Sequence, residues 1–291
     1  MHGRIYIIAL TILAGCSESP GPPPKEHEEQ EVSLAEAFDP TATGAIRGRV
    51  IWDGDIPRGD QTLPRAITID PNFQTKPARI VLPHCPNVDA ANRGVANAVV
   101  FLRGIDARRS KPWDHEPVRV EFHDSRLAIQ QGKHRTGVGF VRQGSSFEVV
   151  NRDAEYHLLR GRGDAFFSFP LAEENRIQAH RLTQSGVVEL TCAAGNYWLR
   201  AHLFVAEHPY FVRTDGDGRF VLDRVPAGKY ELVCWMPNWF IEKHERDPEF
   251  STIARLQWKP PVEQQRAVVV GTGQENEIEY RWSAEMFRVG K

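Results

Sequence analysis

The chain has 291 residues and sets 36 Lys and Arg against 38 Asp and Glu, for a formal net charge of −2. A balance this even produces no field that would draw in nucleic acid or an anionic membrane face. Once the terminal segments are set aside, about 245 residues remain, enough for one large β domain or two smaller ones.

The N-terminus comes first in chain order. Arg4 precedes an apolar run over 5–13, which ends in Leu13-Ala14-Gly15-Cys16. A basic start, a short apolar core and small residues before the cut predict an export signal over 1–15, too short to span a bilayer as a stable helix. Cysteine directly after Leu-Ala-Gly resembles the bacterial lipoprotein box. That resemblance implies that Cys16 is lipidated, carries palmitate and becomes the mature N-terminus. Ser17 in place of Asp leans toward the outer membrane in the same sorting logic. Residues 16–43 then predict a tether, since 17–24 are rich in Pro and Gly and 25–31 are charged, with almost nothing to bury.

From residue 44 onward the pattern is β. Short apolar or alternating runs at 45–52, 95–102, 118–122, 146–151, 186–192 and 201–206 are separated by Gly, Pro and Asp turns. Further runs follow at 210–213, 219–222, 229–234, 267–270 and 277–282. Many short strands with such turns predict an all-β sandwich architecture. Residues 239–261 are polar and predict a long loop or a small helical insertion. Asp215-Gly216-Asp217-Gly218 supplies the backbone of a tight hairpin turn between 211–212 and 220–221. It lacks the twelve-residue acidic loop that a calcium site of the EF-hand kind requires.

Two families resemble parts of this pattern. Gly48-Arg49-Val50, the run at 98–102 and TDGDGRFVLDRVPAGKYELVCW from Thr214 to Trp235 resemble the carboxypeptidase regulatory-like domain. This is a transthyretin-type β-sandwich whose role is generally structural or adhesive. Over a hundred residues lie between Val50 and Thr214, so either a segment is inserted or two sandwiches share the chain. The intervening part resembles a cupredoxin, on the residues GSSFEVVNRD at 144–153 leading to His157, and on the strand 186–192 that delivers Cys192. Together they resemble exported cupredoxin-like proteins of the methylamine-utilisation type. The fold expected is a cupredoxin-like Greek-key sandwich over 44–210, packed with a transthyretin or carboxypeptidase regulatory-like sandwich over 211–291.

The cupredoxin resemblance implies copper held by two imidazoles, a thiolate and a weak axial thioether. Here Gly195 and Asn196 stand where the second histidine would be, and Leu199 where the methionine would be. The usual set is therefore broken. Two routes to a metal stay open: His202 curling back to join His157 and Cys192, or a gathering of His123, His134, His157, His202 and His208 on one face. Cys192 can also be a buried apolar residue or half of a disulfide with Cys85 or Cys234.

Trp235 and Trp239 form the other candidate site, since exposed indole faces on a sandwich edge stack on sugar rings. The alternative is that both cover the edge of the core. The Gly-rich segment at 160–164 lacks the lysine and helix of a phosphate loop. No nucleophile elbow and no His-Glu-x-x-His is present, so no catalytic residue is assigned. The expectation is a non-catalytic envelope lipoprotein with a degenerate copper site and no cofactor. Copper handling or electron transfer through His157, Cys192 and His202 is the alternative, and binding of an envelope glycan or protein partner is another.

Overall fold

Strand formation follows alternation. Val118–His123 buries Val118, Val120 and Phe122 and turns the intervening residues outward, the period-2 signature of a sheet with one face in a core. The computed structural model describes residues 37–66, 75–124, 126–246, 248 and 253–288, except for the side chains within 60–81 and at 253–254. The export signal, Cys16 and most of the tether lie outside the described residues. Among the described residues, no helix is long and apolar enough to cross a membrane.

The architecture is all-β, and the described residues belong to one compact unit. In its middle stretch, two five-stranded sheets are built from residues 118–206. One sheet orders Ile177–Arg181, Ser146–Asn151, Val118–His123, Arg126–Gln131 and His134–Thr136. The other orders Val138–Arg142, Arg200–Ala206, Gly186–Cys192, His157–Gly163 and Phe167–Leu171. Residues 160–163, read from sequence as part of a Gly-rich turn, continue the strand that begins at His157. Gly161 is needed there because a Cβ would meet the ring of Phe167 at 2.4 Å.

The remaining strands interleave the two ends of the chain. Thr43–Trp52 sits between Arg219–Pro226 and Glu275–Trp282 in a three-stranded sheet, antiparallel to the first and parallel to the second. Val99–Arg103 sits between Phe211–Arg213 and Gly228–Met236 in a four-stranded sheet completed by Val262–Val270. The boundary expected at 210/211 is therefore not a division between sheets. Thr43–Trp52 and Val99–Arg103 pair with strands after 210, and residues 118–206 form the segment between them.

Two local readings need correction. The Asp215–Gly218 turn does not close a hairpin, because Phe211–Arg213 and Arg219–Pro226 belong to different sheets. It is a crossover, held by the Asp215 carboxylate accepting from the backbone N–H groups of Asp217 and Arg219. The polar stretch 239–261 holds two strands in place of the loop or helix expected. Ile241–Arg246 pairs with Ile253–Trp258 as a two-stranded ribbon, with Trp258 and Leu256 buried.

A second apolar cluster joins the two sets of sheets. Val99, Phe101, Phe211, Val233 and Trp235 from the four-stranded sheet meet Val138, Phe140, Phe204 and Ala206 from the five-stranded one. All seven residues of Arg200–Ala206 are buried as a result. The odd-numbered side chains of that strand, such as Leu203 and Val205, join the main core, while Phe204 and Ala206 face the junction.

Candidate metal or thiol centre

Cys192 is the last residue of its strand, and His157 the first residue of the neighbouring one. Antiparallel pairing places Leu159 opposite Cys192, so the two ends come together. His157 Nδ1 lies 3.7 Å from Cys192 Sγ, and both residues are buried. The opposite nitrogen, Nε2, lies 3.0 Å from the Asp153 carboxylate, and the ring stacks on Phe122 with centroids 4.4 Å apart. Asp153 thus holds the ring so that Nδ1 faces the thiol.

The electrostatics favour a polarised pair. Burial works against a charged His157. Its hydrogen bonds to Cys192 and Asp153 outweigh that and raise its pKa above the ordinary histidine value. Burial likewise opposes a thiolate at Cys192, but the bond to His157 and the backbone of Leu158 and Ala194 lower its pKa on balance. A thiol beside a carboxylate-oriented imidazole can act as a metal ligand or as an oxidisable sulfur.

The loop after Cys192 decides which. The Asn196 side-chain amide lies 3.5 Å from His157 Nδ1 and is buried. Gly195 adopts φ +79°, a conformation that disfavours any side chain carrying a Cβ. Leu199 is buried in the main core. The site therefore offers one imidazole, one thiol and one amide. Blue copper needs a second imidazole in the plane of the ion, and these residues do not fit it.

His202 does not join this site, for reasons of strand alternation. It pairs with Glu189 across the sheet and turns its ring toward Trp235 and His84, away from the face that carries Cys192. The wider gathering of histidines does not form either. Among the described residues, no three His, Cys, Asp or Glu side chains are grouped to hold a metal ion. Cys85, Cys192 and Cys234 are all thiols, so the disulfides weighed for Cys192 are not made.

Trp235 and Trp239 are 1% and 3% exposed, which leaves no indole face for a sugar ring. Trp235 sets its face at right angles to Phe204 in the junction. Trp239 packs among Trp52, Phe240 and Phe287 at the end of the C-terminal sheets. The core-edge reading is the one the packing supports. Sequence reasoning missed three residues of consequence here. Asp153 carried a weak signal in its four-residue spacing from His157, and Asn196 was seen only as a lost ligand. His84 carried no signal at all.

No protein-family model matches the chain, and no curated protein sequence matches it. Solved structures that resemble it include amicyanins, a purple cupredoxin and a copper-containing nitrite reductase. An oxidised amicyanin variant is 17% identical over 31% of this chain and 81% of its own, with a TM-score of 0.25. A purple cupredoxin from Nitrosopumilus maritimus is 13% identical over 31% of this chain and 98% of its own, with a TM-score of 0.24. The copper-containing nitrite reductase of Thermus scotoductus is 16% identical over 36% of this chain and 25% of its own, with a TM-score of 0.26.

Proposed function

We propose that this chain is a lipid-anchored envelope protein that works as a non-catalytic binding module, with a cupredoxin-like sandwich that no longer carries electrons. One observation supports this most: the buried Asn196 amide, 3.5 Å from His157 Nδ1, where an electron-transfer centre would need a second imidazole. Lipidation at Cys16 and an outer-membrane location belong to the same proposal and rest on the Leu-Ala-Gly-Cys box. Film voltammetry of the copper-exposed protein is expected to give no reversible couple. A reversible copper couple would overturn the reading. Membrane fractionation of cells expressing the Cys16→Ser variant is expected to move the protein into the soluble fraction, and retention on the membrane would refute the anchor.

The 3.7 Å contact between His157 Nδ1 and Cys192 Sγ favours one second reading. A thiolate and an imidazole suit a soft ion such as Cu(I), so the same pair can bind copper without cycling it. Mass spectrometry of the Cu(I)-treated protein under native conditions tests this through loss of the ion on Cys192→Ala. Retention of the same stoichiometry in that variant rejects it.

A further inference from the structure

Arg213 is the last residue of the strand Phe211–Arg213, and its side chain reaches out of that sheet to Gln131 and Val138. Nη1 donates to the Gln131 side-chain oxygen at 3.1 Å and to the Val138 carbonyl at 2.8 Å, which uses both protons of that nitrogen. The guanidinium lies over the Phe140 ring, with Cζ 4.7 Å from the centroid. Nε and Nη2 form the other edge of the fork. They make no hydrogen bond among the described residues, and neither is sealed from solvent.

The anchors are themselves committed. Gln131 is buried; its amide nitrogen donates to the carbonyls of Glu116 and Phe140 at 2.8 Å each, and its oxygen also accepts from the Phe140 N–H at 3.1 Å. The Val138 carbonyl also accepts from the Thr136 hydroxyl at 2.8 Å. These bonds fix the plane of the guanidinium without neutralising it, because every acceptor is an uncharged oxygen. Among the described residues no carboxylate pairs with Arg213, that of Glu116 included. Burial lowers the Arg213 pKa to about 10 with no carboxylate opposing it, and the group stays charged at neutral pH. The Gly132-Lys133 turn adds charge of the same sign: burial first, then Arg213 and Lys133, lower the pKa of His134. A cation drawn partly out of water with no counter-charge is costly, and an anion relieves that cost.

We propose that the open Nε–Nη2 edge of Arg213 is a binding site for a small oxyanion, a carboxylate or a phosphate, separate from the Cys192 site. The geometry of the fork selects the ligand. Two parallel N–H groups on a rigid plane match two oxygens of one anionic group, and a spherical ion such as chloride cannot accept from both as well. Phe140 covers one face of the guanidinium, so the anion enters in its plane, at the edge left without partners. Gln131 and Val138 hold that edge in position before the anion arrives, which reduces the ordering cost of binding. Lys133 and His134 stand beside it as further donors to the same ligand.

The test is titration of the intact, unaltered chain with acetate and, separately, with inorganic phosphate, against chloride at the same ionic strength. Nuclear magnetic resonance of the arginine Nε–H groups is the readout, with the Arg213 signal assigned through bonds from its own backbone. That signal is expected to move and to saturate at one anion per chain with acetate, with phosphate or with both. Saturation by acetate alone assigns a carboxylate ligand, and saturation by phosphate alone assigns a phosphate. A shift that never saturates, or an equal shift with chloride, would overturn the proposal. Arg213→Lys provides the second arm, since it keeps the charge and removes the fork. Followed through the backbone amides of Lys133 and His134, binding of the same anion is expected to weaken about tenfold. Unchanged affinity in that variant would contradict the proposal even where the first arm saturated. Neither arm touches Cys16, His157 or Cys192, so the outcome is independent of the function proposed above.

Discussion

His157 turns Nδ1 toward Cys192 Sγ at 3.7 Å while Asp153 holds its other nitrogen at 3.0 Å. What sits beside this carboxylate–imidazole–thiol line sets its chemistry. The Asn196 amide fills the place of a donor, and Gly195 cannot supply one at φ +79°.

A gain of function follows from that geometry. Asn196→His places a second imidazole near the thiol without disturbing the left-handed glycine. The variant is expected to take up Cu(II) and show an intense visible thiolate-to-copper band. Gly195→His is expected to show none, and to lose stability by about 1 kcal/mol or more from its backbone. Visible absorption with a thermal melt checks both.

The thiols should differ sharply in reactivity. Hydrogen bonding to His157 helps hold the Cys192 thiol below its ordinary range, whereas burial pushes Cys234 up to about 12. Alkylation of the native protein at neutral pH, read by peptide mass spectrometry, is expected to modify Cys192 before Cys234. His157→Phe is expected to slow Cys192 severalfold by removing the partner that favours its thiolate. Equal rates for the two thiols would refute this account of the pair.

Stability should fall in acid. Burial first holds His84 near 3, His208 near 4 and His202 well below the ordinary 6.5. The unfolded chain therefore binds protons that the folded one refuses, and their contribution is complete above pH 6.5 and lost as pH drops below it. Each unit of depression corresponds to about 1.4 kcal/mol. His157 works in the opposite sense, since its raised pKa contributes fully below 6.5 and is lost as pH rises through the folded value. The three depressed groups outweigh it. Chemical denaturation at neutral pH and at about pH 5 should show the loss, and His202→Gln should flatten it.

Trp239 should behave as a core residue. Truncation to alanine is expected to cost about 3–5 kcal/mol in denaturant unfolding. Tryptophan fluorescence of the unaltered protein is expected to stay constant across a panel of envelope glycans. A saturable fluorescence change would restore the sugar-binding reading.

The sequence announced the all-β class through alternation at segments such as 118–122 and 186–192, where one face is buried and the other is not. It also placed His157 and Cys192 together, because each closes or opens a strand in a recognisable setting. Which strands pair was not legible, since pairing partners such as Thr43–Trp52 and Glu275–Trp282 lie far apart in the chain. Strand alternation turns His202 away from Cys192, while its burial and that of Trp235 have one cause. Both lie on strands whose outer surface would be solvated in a lone sandwich and is here covered by a second set of sheets. His84 was invisible for the same reason, as its meaning lies wholly in its contact with His202.

The central claim is that one imidazole, one thiol and one amide do not make a blue-copper centre. Visible absorption during Cu(II) titration of the unaltered intact chain tests it most directly. The account predicts no intense thiolate-to-copper band at any copper ratio. A strong band that saturates at one Cu(II) per chain and vanishes in Cys192→Ala would contradict it.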